Sequence, residues 1–82
     1  MHILNQKTIE SLWQSEFILR EIHQENRDQD KAKYIKIVDR LDYVIALQFM
    51  FHRNLTNLKG LIRNGKNEEA RELIDKTLKE IL

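Results

Sequence analysis

His23, His52, Ser11, Ser15 and a run of basic residues are the groups whose chemistry has to be settled first. A metal site on helices needs acids or histidines three or four residues apart on one inward face. His23 has Leu19 and Arg20 before it and Asn26 and Arg27 after it. His52 has Gln48 and Phe49 before it and Leu55 and Thr56 after it. Neither spacing offers a second ligand, so no metal and no cofactor is expected. Ser11 and Ser15 fall in a helical stretch with no histidine at helical spacing, which argues against a nucleophile–base pair. The two glycines stand alone and cannot form a phosphate-cradling loop. Arg27, Lys31, Lys33, Lys36 and Arg40 could touch phosphates, but Asp28, Asp30 and Asp39 are interleaved with them. That pattern reads as a solvated mixed-charge face, so nucleic acid is disfavoured as a partner. Enzyme chemistry is not expected.

The elements that carry these residues read as helices. Absence of proline and a complement of only two glycines leave almost nothing to break a helix. The first helix is expected over roughly residues 6 to 26. Its apolar residues, among them Ile9, Leu12, Trp13, Phe17, Leu19 and Ile22, cover more than half the circumference. The polar strip left over is Glu10, Gln14, Glu21 and Glu25. Trp13 and Phe17, like Phe49 and Phe51, are read as core aromatics.

Residues 34 to 62 carry a 3–4 apolar repeat through Tyr34, Ile37, Leu41, Val44, Gln48, Phe51, Leu55, Leu58 and Ile62. Gln48 is the polar member. Such spacing puts every side chain on one stripe of one helix. The pattern predicts a second helix over roughly 31 to 63, which would be about 50 Å long. A third helix is expected over 67 to 81, with Asn67 as its N-cap, Glu68 and Glu69 in its first turn, and Gly65 in a left-handed turn before it. The fold class is therefore all-α, a single domain over residues 1 to 82, with a long helical hairpin and an N-terminal helix.

A stripe this long has no equally long partner in its own chain. The expectation is a homodimer that assembles into a helical bundle, with Leu41, Val44, Gln48, Phe51, Leu55 and Leu58 as its core. Gln48 would either pair across the two-fold axis or sit partly solvated in a wet gap. A chain of 82 residues buries only about 60% of its unfolded surface alone, which favours association. The formal net charge of +1 selects no charged ligand. Cysteine is absent, which suits a reducing cytoplasm. The longest mostly apolar run, residues 44 to 51, falls well short of the roughly 20 residues of a membrane span, and no signal-peptide layout is visible.

Residues 49 to 74 resemble the dimerisation hairpin of the sporulation-phosphotransferase type, shared with citrate-sensor-like histidine kinases. That family's helix carries H-[DE]-[FW]-x-N-x-L-x-x-I-x-G, then a glycine-containing turn and Glu-Ala. Phe51, Leu55, Leu58 and Gly60 occupy the aromatic, Leu, Ile and Gly positions, and residues 61 to 70 continue without a gap. The resemblance implies a hairpin that pairs with a second copy. The phosphoacceptor position holds Phe49, the acid position Met50 and the Asn position Arg53. Phe49, Met50, His52 and Arg53 then form the candidate patch for a partner, a response regulator or kinase, unless the first helix covers Phe49 and Met50.

The reading is a non-enzymatic, dimeric helical regulator of a bacterial two-component or phosphorelay pathway, acting by protein–protein binding. Its rivals are a phosphotransfer protein using His52, a nucleic-acid-binding dimer, and an oligomerisation module of phage or plasmid origin.

Overall fold

The computed structural model describes residues 3–24, 31–47 and 51–82, with side chains for 6–23, 31–47 and 51–82. Among the described residues all regular structure is helical: α1 (Ile3–Gln24), α2 (Lys31–Leu47), α3 (His52–Arg63) and α4 (Asn67–Ile81). α1 packs on α2 and α4, and α3 packs on the same two, so each helix touches its neighbours around a square. Cross-links between ends fix the directions. Lys33 near the start of α2 reaches Glu21 near the end of α1 at 3.3 Å. Asn54 near the start of α3 donates to Thr77 Oγ1 near the end of α4 at 3.2 Å. The helices thus run alternately up and down, in a bundle of 36 × 21 × 17 Å.

The helix expected over 31 to 63 is two helices. Phe51 has φ 63°, a left-handed conformation that no right-handed helix can pass through. For a residue with a side chain this costs roughly 1–2 kcal/mol. Folding back there lets α3 cover α2. Leu41 is fully buried, and Val44, Leu55 and Leu58 are each 1% exposed. Each such burial is worth about 1.5–3 kcal/mol. Several of them outweigh one strained dihedral, and within this chain the two halves of the stripe cover each other.

The turn from α3 to α4 follows its sequence signal. Gly65 has φ 72°, its N–H donates to Ile62 O at 3.1 Å, and the Lys66 N–H donates to Leu61 O at 2.9 Å. These bonds satisfy the free carbonyls of the last turn of α3. Asn67 is not the N-cap expected of it. Lys66 holds that position, with no side-chain cap bond. The Asn67 side chain is occupied elsewhere: the Tyr34 hydroxyl donates to its Oδ1 at 2.9 Å and so ties the start of α2 to the start of α4.

Inside, each helix contributes to one core. Leu12 and Leu19 of α1 meet Ile37 and Leu41 of α2, Leu55 and Ile62 of α3, and Ala70 and Ile74 of α4. α1 is set differently from its apolar reading. It buries Thr8, Ser11 and Ser15 and leaves Trp13 55% and Phe17 64% exposed. Small residues let α1 lie close to its neighbours. Helical hydroxyls also carry their own solution to burial, since they bond back to the preceding turn. Ser15 Oγ donates to Ser11 O at 2.7 Å, and Thr77 Oγ1 on α4 donates to Leu73 O at 2.8 Å. A Trp in the same place would need far more volume and a partner for its indole N–H.

Candidate functional site

Among the described residues, large apolar side chains are exposed on α2, at Ile35, Tyr43 and Leu47, and on the outer face of α1, at the aromatic pair Trp13 and Phe17. Gln6, Glu10, Trp13, Phe17 and Arg20 recur every three or four residues and are all exposed. They therefore form one stripe along the helix. Its two ends are polar and its middle is aromatic. Trp13 and Phe17 are one turn apart and so share one face of the helix. Large contiguous apolar patches are uncommon on monomers and mark contact surfaces.

Beside this stripe runs a groove between α1 and α4, lined by Trp13, Glu16, Phe17, Arg20, Asp75 and Leu78. Glu16 is its chemically unusual member. Its side chain is 15% exposed, and Arg20 Nη2 lies 2.6 Å from Oε1. Burial holds its carboxyl above the ordinary carboxylate range, and Asp75 on α4 pushes it further the same way, by hydrogen bonding and by charge. The Arg20 guanidinium opposes both. A carboxyl whose folded pKa is raised favours the fold while it is protonated. That contribution is complete below the unfolded pKa and is lost as pH rises through the folded one. Glu16→Gln is therefore expected to be more stable than the parent at pH 7, and to lose that advantage near pH 4, where the unfolded carboxyl also protonates. Urea melts at the two pH values check this; a gap that does not change with pH would show that Asp75 and burial do not act on Glu16.

On the other flank of α1, Lys7 Nζ sits 5.8 Å from the centre of the Tyr43 ring of α2. Tyr43 is itself 56% exposed. The aromatic stripe thus has charge and a further ring around it.

The residues read from sequence as a dimer core lie elsewhere. Leu41, Val44, Leu55 and Leu58 are inside the bundle, covered by helices of the same chain. Phe51 is half-buried against that core at the left-handed turn. Of the candidate partner patch, His52 and Arg53 are exposed on the first turn of α3. Gln48, Phe49 and Met50 fall outside the described residues, as does Arg27 of the basic run. Lys31, Lys36 and Arg40 are exposed on α2, interleaved with exposed Asp39 and Asp42, and Asp42 Oδ1 is bound by Lys59 Nζ at 2.6 Å. This is a mixed-charge face. No group of three His, Cys, Asp or Glu that could hold a metal is found among the described residues. None of the described helices is long and apolar enough to cross a membrane.

Sequence reasoning missed the exposed aromatic pair. The signal was present on the opposite side of α1, where Thr8, Ser11 and Ser15 repeat at helical spacing. A stripe of small hydroxyl residues marks a buried face as well as a leucine stripe does when the neighbouring helices lie close.

Comparison with protein-family models, with curated proteins and with solved structures gives no match.

Proposed function

We propose that the protein is a non-enzymatic helical regulator that works by binding another polypeptide along the outer face of α1. The observation that carries this reading is the Trp13–Phe17 pair, more than half exposed on a bundle whose own helices already fill its interior. Covering such a pair gains roughly 25 cal/mol per Å² of apolar surface removed from water. Aromatic residues in this setting are also the side chains most often found to dominate binding. The occupant that fits is an amphipathic helix laid along α1, with apolar side chains three or four apart at its centre and charge at both ends.

A two-component or phosphorelay pathway is the setting this reading takes from the resemblance of the α3–α4 hairpin, although Phe51, at the motif's aromatic position, is left-handed and stands before α3. In this reading His52 transfers no phosphoryl group. Arg53 follows it directly, and Phe49 stands at the phosphoacceptor position of the resembling family.

The reading is tested with a benzophenone amino acid at Gln14, an exposed neighbour of the aromatic pair on α1. Irradiation in cells is expected to give discrete adducts, which mass spectrometry maps to a helical peptide. In the Trp13→Ser/Phe17→Ser double variant these adducts are expected to fall at least 10-fold while circular dichroism stays unchanged, since truncating paired hot-spot residues typically costs that much or more. Adducts that survive the double variant, or none from the parent, would remove the reading.

A further inference from the structure

We propose that the helix laid along α1 is α1 of a second copy, antiparallel to the first and related to it by a two-fold axis at the level of Ser15. The inference rests on the reading of α1 as the binding face and names its occupant. The exposed stripe is symmetric about that level. Trp13 and Phe17 lie equally far on either side of it, and so do Glu10 and Arg20. An antiparallel pair therefore sets Trp13 against Phe17 of the partner subunit, twice. Outside these layers it sets Glu10 against Arg20 of the partner subunit, again twice. The spacing from Glu10 through Trp13 and Phe17 to Arg20 alternates three and four residues, as a helix seam requires.

Charge selects this arrangement over the parallel one. A parallel pair would face Glu10 with Glu10 and Arg20 with Arg20 of the partner subunit. Arg20 already binds Glu16 of its own helix at 2.6 Å, yet its side chain is 57% exposed, and a guanidinium has donors for a second carboxylate. A two-fold contact of this type is self-complementary, so one surface serves both subunits.

Area sets the strength. From the exposures of 55% and 64%, Trp13 and Phe17 offer roughly 250 Å² per copy, against about 800 Å² per partner in a stable interface. The contact is therefore a weak dimer that forms with rising concentration, one that leaves each bundle intact when it separates.

Sedimentation equilibrium of the purified protein tests the association. A monomer–dimer equilibrium is expected. Glu10→Arg alone and Arg20→Glu alone should each weaken it at least 10-fold, and the Glu10→Arg/Arg20→Glu double variant should restore it. Both positions are exposed, so the variants keep the helical signal of the parent. The absence of cysteine from the chain permits a second measurement of direction. In the antiparallel register, position 10 is about 15 Å along the axis from position 10 of the partner subunit, too far for a disulfide, but it faces position 20. Glu10→Cys alone is expected to give no disulfide-linked dimer under oxidation, whereas an equimolar mixture with Arg20→Cys should cross-link. Disulfide dimers from Glu10→Cys alone would overturn the antiparallel register. A helical monomer at all concentrations up to the millimolar range would overturn the second copy as occupant. In that case Trp13-dependent adducts in cells would still support a foreign helix on the same face, and their absence would remove both.

Discussion

Leu55→Asp is expected to abolish the folded state, with a loss of several kcal/mol. Leu55 is 1% exposed, in the middle of the face that α3 turns to the core. It belongs to an apolar core cluster, none of whose described members carries a charge that could pair with a carboxylate. An ionised group in such a place either stays charged at a cost of several kcal/mol or takes up a proton, which also costs free energy at neutral pH. Native domains hold only about 5–15 kcal/mol in total, and short chains sit at the low end. Leu55→Ala, which leaves a cavity but no charge, should cost about 2–5 kcal/mol. The measurement is far-ultraviolet circular dichroism against urea and temperature, at two protein concentrations well apart. Because Leu55 is buried by helices of its own chain, the parent's midpoint should be nearly independent of concentration in the dilute range. A midpoint that climbs steeply with concentration would show that Leu55 is covered by a second copy, as the stripe alone suggests.

The break between α2 and α3 explains why the sequence is hard to read at this point. No proline occurs, and neither glycine lies between residues 31 and 59, so no local signal stops the helix. The apolar repeat also keeps its phase across the break. Ile37, Leu41 and Val44 face the core from α2, and Leu55, Leu58 and Ile62 face the same core from α3. A continuous helix and a folded one thus demand the same apolar positions. What separates them is tertiary: the folded form supplies each half of the stripe with cover, at the cost of one left-handed residue. Around the last turn the local signals hold except for the N-cap, which falls on Lys66 and not on Asn67. α4 spans Asn67–Ile81, as its periodicity predicts, and Gly65 takes the left-handed turn that only a glycine adopts without strain.

For α1 the boundaries were legible and the rotation was not. The helix spans Ile3–Gln24, close to the expected range. Its apolar residues surround it so fully that they define no single face, and the largest side chains then draw the eye inward. Hydrophobic size is a poor guide in such a case, because burial is limited by the space between neighbouring helices. Thr8, Ser11 and Ser15 are buried there, Ser15 with its hydroxyl bonded to the backbone of Ser11, whereas Trp13 and Phe17 lie outside.

The rotation of α1 can be tested by one pair of substitutions with opposite expected effects. Two residues turn a helix by about 200°, so positions 13 and 15 lie on nearly opposite sides. Ser15 is fully buried, and its Oγ is bonded to Ser11 O at 2.7 Å. Ser15→Leu adds carbon atoms where α1 already lies against its neighbours, and overpacking of this kind costs about 1–3 kcal/mol. In a domain of this size that lowers the melting temperature by roughly 5–20 °C. Trp13→Ser removes a side chain that is 55% exposed and only partly packed in the α1–α4 groove, so it should cost about 1 kcal/mol or less, below the loss at Ser15. The two variants are to be melted at a concentration low enough to keep the chain monomeric, so that loss of self-association does not enter the comparison. If Trp13→Ser lowers the melting temperature more than Ser15→Leu does, α1 sits half a turn away from the orientation described here. The aromatic pair would then belong to the core, and the symmetric stripe from Glu10 to Arg20 would have no surface on which to act.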